Sequence, residues 1–160
     1  MPPLLRPATR DDLPALGRLG ARLMHLHHEF DRRRFLEPMP DAEQGYAWFL
    51  GTQLEEPEAR VVVAEEDGQV VGYAYGAIEP RSWQMLLDEA GMIHDVMVDH
   101  AARGRGIGTS LVNDMLAWMR TRGVPRVVLH TADPNAEAQR LFQRLGFRPT
   151  MIEMTRELGE

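Results

Sequence analysis

The stretch Met92-Ile93-His94-Asp95-Val96-Met97-Val98-Asp99-His100-Ala101-Ala102-Arg103-Gly104-Arg105-Gly106-Ile107-Gly108-Thr109 passes from an apolar run through a short polar turn into a glycine-rich segment. The apolar run predicts a strand over 92–98. Ile107, Leu111, Met115 and Trp118 then recur at helical spacing, predicting a helix from about Gly106 to Arg122, ended by Gly123 and kept from resuming by Pro125. Between strand and helix, glycines let backbone N–H groups converge without Cβ obstruction. The helix start adds unpaired donors at the positive end of its dipole. This loop suits a phosphate or pyrophosphate, and Arg103 and Arg105 add positive charge. A dinucleotide fingerprint would need glycine at 104, 106 and 109, where Thr109 stands, and a P-loop would need Gly-Lys-Ser/Thr, which is absent.

Upstream, Leu4 to Pro7 reads as a short strand, and Thr9 as the cap of a helix with Asp11 and Asp12 in its first turn. Leu13, Leu16, Leu19, Leu23, Leu26 and Phe30 form one apolar stripe, so that helix runs to about residue 30. Pro38 and Pro40 interrupt, and Asp41 opens a second helix through Tyr46, Trp48, Phe49 and Leu54. Val61–Ala64 and Val70–Ile78 flank Asp67-Gly68, a strong hairpin signal. Gly72, Ala74 and Gly76 line one face of the second hairpin strand, leaving room for a close approach. Pro80–Gly91 reads as a loop with a helical turn near Trp83–Asp88. Downstream, Arg126–Thr131 reads as a strand, Asn135 opens a helix with Ala138, Leu141, Phe142 and Leu145 on one side, and Phe147 to about Met154 reads as a last strand.

Arg103-x-x-Gly106-x-Gly108 after a strand, followed by Asn135-x-x-Ala138, the aromatic Phe142 and Gly146-Phe147, resembles the GCN5-related N-acetyltransferase family. The resemblance covers nearly the whole chain and is specific over residues 92–150. It implies an α/β fold: a mixed, twisted sheet, splayed near Val98 and flanked by helices on both faces. It also implies acetyl-CoA as cosubstrate, with acetyl moved to an amine. Backbone groups of Val96, Met97 and Val98 would pair with pantetheine, and an N–H such as that of Met97 would polarise the thioester carbonyl. The amides of Arg103, Gly104, Arg105, Gly106, Ile107, Gly108 and Thr109 would hold the pyrophosphate, while Asn135 and Phe142 would line the CoA arm. The acceptor would enter from the side of the first two helices and the loop at 80–91. Family members often carry tyrosine where Phe142 stands, as the acid for the departing thiolate, and Phe142 cannot donate a proton. A thiol pKa of about 8.5 lets a thiolate leave near neutral pH without one.

Residues His94 and Asp95 are the candidate general bases, because members of the family often place a carboxylate at one of these positions and a histidine side chain, with an unperturbed pKa of about 6.5, suits the same task. Strand neighbours point to opposite faces, so one of the two reaches the cleft unless a bulge intervenes. His25, His27, His28 and Glu29 offer no second ligand pair for a metal, so no metal is expected and the group reads as a helix-end cluster that lines the acceptor cleft or is solvated.

The chain's 160 residues fit a single N-acetyltransferase domain over 1–160. It has no cysteine, hence no disulfide, metal-thiolate site or cysteine-borne acetyl group, so transfer should be direct. A formal charge of −6 disfavours nucleic acid as partner and suits a small cationic amine or a basic peptide. No run reaches the roughly 18 apolar residues of a membrane span, and the start carries no signal-peptide pattern. A cytoplasmic protein is expected, with a homodimer allowed. A non-catalytic acyl-CoA sensor, supported by Phe142, is one rival reading, and an acetyltransferase acting on a protein N-terminus or lysine is the other.

Overall fold

The computed structural model describes residues 2–159. Five strands make one open sheet in the order β1-β2-β3-β4-β5: β1 Leu4–Pro7, β2 Ala59–Glu66, β3 Gln69–Glu79, β4 Ala90–Val98 and β5 Val127–Leu129. The first four pair antiparallel and β5 is parallel to β4, so the sheet is mixed. The β2–β3 turn has positive φ at Asp67 (50°) and Gly68 (77°), as the hairpin signal requires.

The strands alternate between two cores. Val61, Val63, Tyr73, Tyr75 and Met97 pack under α1 (Leu13–Phe30) and α2 (Ala42–Gln53), joining Leu16, Leu19, Leu23 and Leu50. Val62, Ala64, Ala74 and Ile93 face α3 (Ile107–Thr121), joining Ile107, Leu111, Val112, Met115 and Met119. The α4 helix (Ala136–Arg144) packs Phe142 against that second core. What closely approaches β3 is α3 itself. A Cβ on Gly76 would lie 3.0 Å from Met119 Cε and 3.1 Å from Met115 Sδ.

Several elements differ from the expectations. Thr9 precedes a separate 3₁₀ turn, Arg10–Asp12, and α1 begins only at Leu13. Asp12 explains the break, because its carboxylate accepts from Thr9 N (2.8 Å) and from both Nη atoms of Arg6. The turn near Trp83–Asp88 is not helical. A Ser82–Leu87 bridge and an Arg81–Asp88 ion pair close it, with Leu86 at φ 50°. Met119, not Trp118, completes the buried stripe of α3, and Trp118 lies half-buried under the Arg122 guanidinium. Residues 147–154 form no strand. Pro149 lacks a ladder donor, β5 offers only three residues to pair with, and Glu153 is instead held by Arg34 in an ion pair.

Two helix glycines set how closely α1 and α2 meet. A Cβ on Gly17 would lie 2.4 Å from the backbone oxygen of Glu43, and one on Gly20 would lie 2.2 Å from the Tyr46 ring. Gly45, in α2, has nothing near its missing Cβ. Gly17→Ala should therefore destabilise by about 1–3 kcal/mol through overpacking against immovable backbone. Gly45→Ala should stabilise by about 0.5–1 kcal/mol through helix propensity alone. Urea midpoints moving in opposite directions, at similar slope, would verify the pair.

Candidate active site

A single cleft of about 920 Å³ runs from the start of α3, past the open edge of β4, to the C-terminal half of α1 and the following loop. Its origin is the short β4–β5 ladder. The two strands pair only from Gly91↔Val127 to Ile93↔Leu129, and beyond Ile93 they separate. Val96 to Val98 thus stay paired to β3 on one side while their other edge faces the cleft.

Backbone parity determines which groups that edge offers. Asp99 N–H donates to Val71 O at 2.7 Å, toward β3. Alternation along the strand turns Met97 the same way, and Val96 and Val98 the other. The Arg103 side chain donating to Val98 O (3.2 Å) agrees with that orientation. The expected use of the Met97 N–H is therefore corrected: Val96 and Val98 carry the outward N–H groups.

A β-bulge resolves the question of His94 and Asp95. Tyr75 pairs with Asp95, yet Gly76 pairs with Ile93, so His94 is an extra residue. Ile93 and Val96 both pack on the α3 side. The His94 ring instead stacks on Tyr75 at 5.1 Å, and Asp95 accepts from Tyr73 OH at 2.9 Å; both tyrosines belong to the α1–α2 side. The bulge thus places the two neighbours on one face, where ordinary alternation would have divided them. Burial pushes the Asp95 carboxyl above the usual carboxylate range, a rise partly opposed by the Tyr73 hydrogen bond and by nearby His94 and His27. His94 Nε2 lies 3.0 Å from Glu79 Oε1, at the exposed side of the pair.

At the other end of the cleft, Gly104 (φ 76°) and Gly106 (φ 78°) hold left-handed backbone that brings the chain into α3, with open space beside both. Arg103, Gly104, Gly106, Ile107, Gly108 and Thr109 line the cleft, as do Asn135 and Phe142. Arg105 does not. Its guanidinium is paired with Glu66 (2.9 Å) and donates to Ala101 O, so the charge it was expected to add to the loop is engaged elsewhere. The Asn135 side chain accepts from Ala138 N (3.2 Å) and so caps α4. Phe142 sits edge-to-face with Phe147 at 5.9 Å and brings no hydroxyl. The glycine turn, the first amides of α3 and the open β4 edge suit a pyrophosphate followed by an extended amide-bearing arm, so these residues fit CoA.

Tyr46 lines the cleft without having been expected there, and His27, from the helix-end histidine cluster, lines it too. His27 Nδ1 is 2.9 Å from Leu23 O, and burial together with the Asp95 charge pushes the Tyr46 hydroxyl pKa upward, keeping it protonated. The available signal was the Gly17–Gly20 pair within α1, since the missing Cβ of Gly20 makes room for the Tyr46 ring. Among the described residues, no group of three His, Asp or Glu side chains is arranged to hold a metal, and no helix is long and apolar enough to cross a membrane.

The acetyltransferase (GNAT) family model matches residues 21–147. The chain belongs to the GNAT family. It is 34% identical to the mycothiol acetyltransferase of Thermomonospora curvata over 113 residues, covering 71% of this chain but only 33% of that longer protein. Among solved structures, a tetramutant of the BH1408 protein from Bacillus halodurans superposes with a TM-score of 0.80 at 21% identity, covering 97% of this chain and 99% of that one. A predicted acetyltransferase from Clostridium acetobutylicum, crystallised with acetyl-CoA, gives 0.73 at 17% identity, covering 98% and 96%. At these identities the two structures establish that this GNAT chain shares their fold.

The two loop arginines have different surroundings, so their loss should have different effects. Arg103→Ala should weaken CoA binding by about tenfold, the value of one charge-assisted contact, while Arg105→Ala leaves it nearly unchanged. Gly108→Glu should abolish binding by putting a carboxylate at the helix start. Calorimetric titration with CoA separates these outcomes, and unchanged affinity in Gly108→Glu would remove the anion-loop assignment.

Proposed function

We propose that residues 1–160 act as a single acetyl-CoA-dependent N-acetyltransferase domain, passing acetyl directly to the amine of a small molecule. The observation that carries this reading is the bulge in β4, which gathers His94 and Asp95 on the acceptor face immediately before the open Val96–Val98 edge. The cleft volume of about 920 Å³ falls in the range of small-molecule sites.

In this proposal the first amides of α3, with Arg103, bind the pyrophosphate, and the outward N–H of Val96 or Val98 polarises the thioester carbonyl. Asp95 is the base. An alkylamine with pKa about 10.4 is mostly protonated at pH 7, so the enzyme must remove a proton before the nitrogen attacks. Asp95, made more basic by burial, takes it, and His94 with Glu79 passes it to solvent. As the N–C bond forms and the C–S bond breaks, the nitrogen's second proton leaves by the same route. Phe142 leaves the departing thiolate without a protein acid at that position. Water protonates the thiolate, an outcome that a thiol pKa of about 8.5 permits.

Asp95→Asn should lower kcat by about 10²–10⁴-fold with CoA affinity preserved, and activity should partly recover at high pH. Tyr73→Phe removes the hydrogen bond that lowers the Asp95 pKa. The carboxyl pKa should then rise and the acid limb of the kcat/KM–pH profile move to higher pH. A large kcat loss confined to His94→Ala would make His94 the base instead. Near-normal kcat from pH 6 to 9 in both variants would exclude the pair.

A further inference from the structure

Beyond Asp95 the cleft changes character. Its walls become Met24, His27, Phe30, Phe35 and Leu36, with Tyr46 at the side of α2. The rings hold one another: His27 meets Phe30 edge-on at 5.8 Å and Phe35 at 5.0 Å. His27 is fixed to the turn behind it through Leu23 O, and His28 Nδ1, 3.4 Å from Phe35 O, pins the loop carrying that ring. Arg34 reaches this end of the cleft, but its guanidinium is paired with Glu153 and lies over the Phe35 ring at 5.0 Å. The carboxylates at the bulge are Asp95 and Glu79, the latter 3.0 Å from His94 Nε2.

We infer that the acceptor is a primary amine borne on an apolar, ring-sized body, an arylalkylamine or a compact branched alkylamine, with its nitrogen at Asp95 and its body among His27, Phe30 and Phe35. This rests on the acetyl-transfer reading above and narrows it. A ring fills such walls with apolar surface and with edge-to-face contacts of the kind the three side chains already make. A polyhydroxylated amine would strip water from hydroxyls and set them against carbon, leaving them unsatisfied. A polyamine would place its second charge against the same walls. A carboxylate on the acceptor would meet Asp95 and Glu79, while Arg34 is already engaged by Glu153.

The test compares 2-phenylethylamine, glucosamine and spermidine at saturating acetyl-CoA, following thiol release. The aryl amine should lead in kcat/KM by at least about tenfold. Phe35→Ala and Phe30→Ala should each raise its KM by about tenfold with kcat and CoA affinity little changed, and Phe35→Leu should restore most of the loss. Preference for glucosamine or spermidine, or a preference unmoved by the alanine variants, would overturn the inference. If acetyl-CoA binds and no amine is acetylated, the transfer reading fails. Titration of 2-phenylethylamine into the CoA-loaded protein then decides the ligand class by itself. Saturable binding weakened by Phe35→Ala supports it, and absence of binding overturns it.

Discussion

Strand β4 pairs with β3 on one side, interrupted at the His94 bulge, and abandons its partner on the other side after Ile93. The central slot of the cleft follows from that asymmetry. Unpaired strand groups facing an interior are costly unless something bonds to them, so the separation of β4 and β5 makes a slot that prefers an extended, amide-bearing ligand. The same strand runs through Asp99 and the 3₁₀ turn His100–Ala102 into the glycine loop and α3. The slot and the start of α3 are therefore covalently continuous, and their spacing is held by the α3 core packed beneath Gly72 and Gly76.

The bulge is the second consequence of that strand's geometry. Inserting His94 without a partner shifts the alternation, so an imidazole and a carboxylate that adjacent positions would divide between two faces come to share one. Tyr73 and Tyr75 then give each a different environment. Asp95 is taken into a low-dielectric position with one hydroxyl donor, while His94 stacks outward against Tyr75, whose own pKa burial pushes up to about 12. A half-buried carboxylate with a raised pKa beside an exposed imidazole–carboxylate pair is an arrangement that can accept a proton inside and release it outside.

On the opposite wall, the approach of α1 to α2 depends on Gly17 and Gly20, and through Tyr46 that contact reaches the cleft. The helical layer is therefore part of the site as well as its cover. Its apolar, ring-lined end lies next to an acidic floor, which is the combination that separates a protonated amine from its hydrocarbon body.

Local patterns in the chain were sufficient for much of this. The hairpin at Asp67-Gly68, the helix stop at Gly123, the apolar stripes of α1 and α3, and the glycine loop are properties of neighbouring residues, because positive φ, helical period and helix-start donors are local constraints. The resemblance in residues 92–150 likewise sufficed for the family and the fold class. What tertiary structure alone decided depends on partners distant in sequence. Whether His94 and Asp95 share a face rests on the register against β3, and which N–H groups face the cleft rests on the parity of that pairing. The Arg105 guanidinium is drawn off by Glu66, residues 147–154 are left unpaired by a three-residue β5, and Tyr46 comes to line the cleft where two helices close on missing Cβ atoms. A run of amino acids specifies how each segment bends, but the identity of the group across a gap is fixed only when the segments pack.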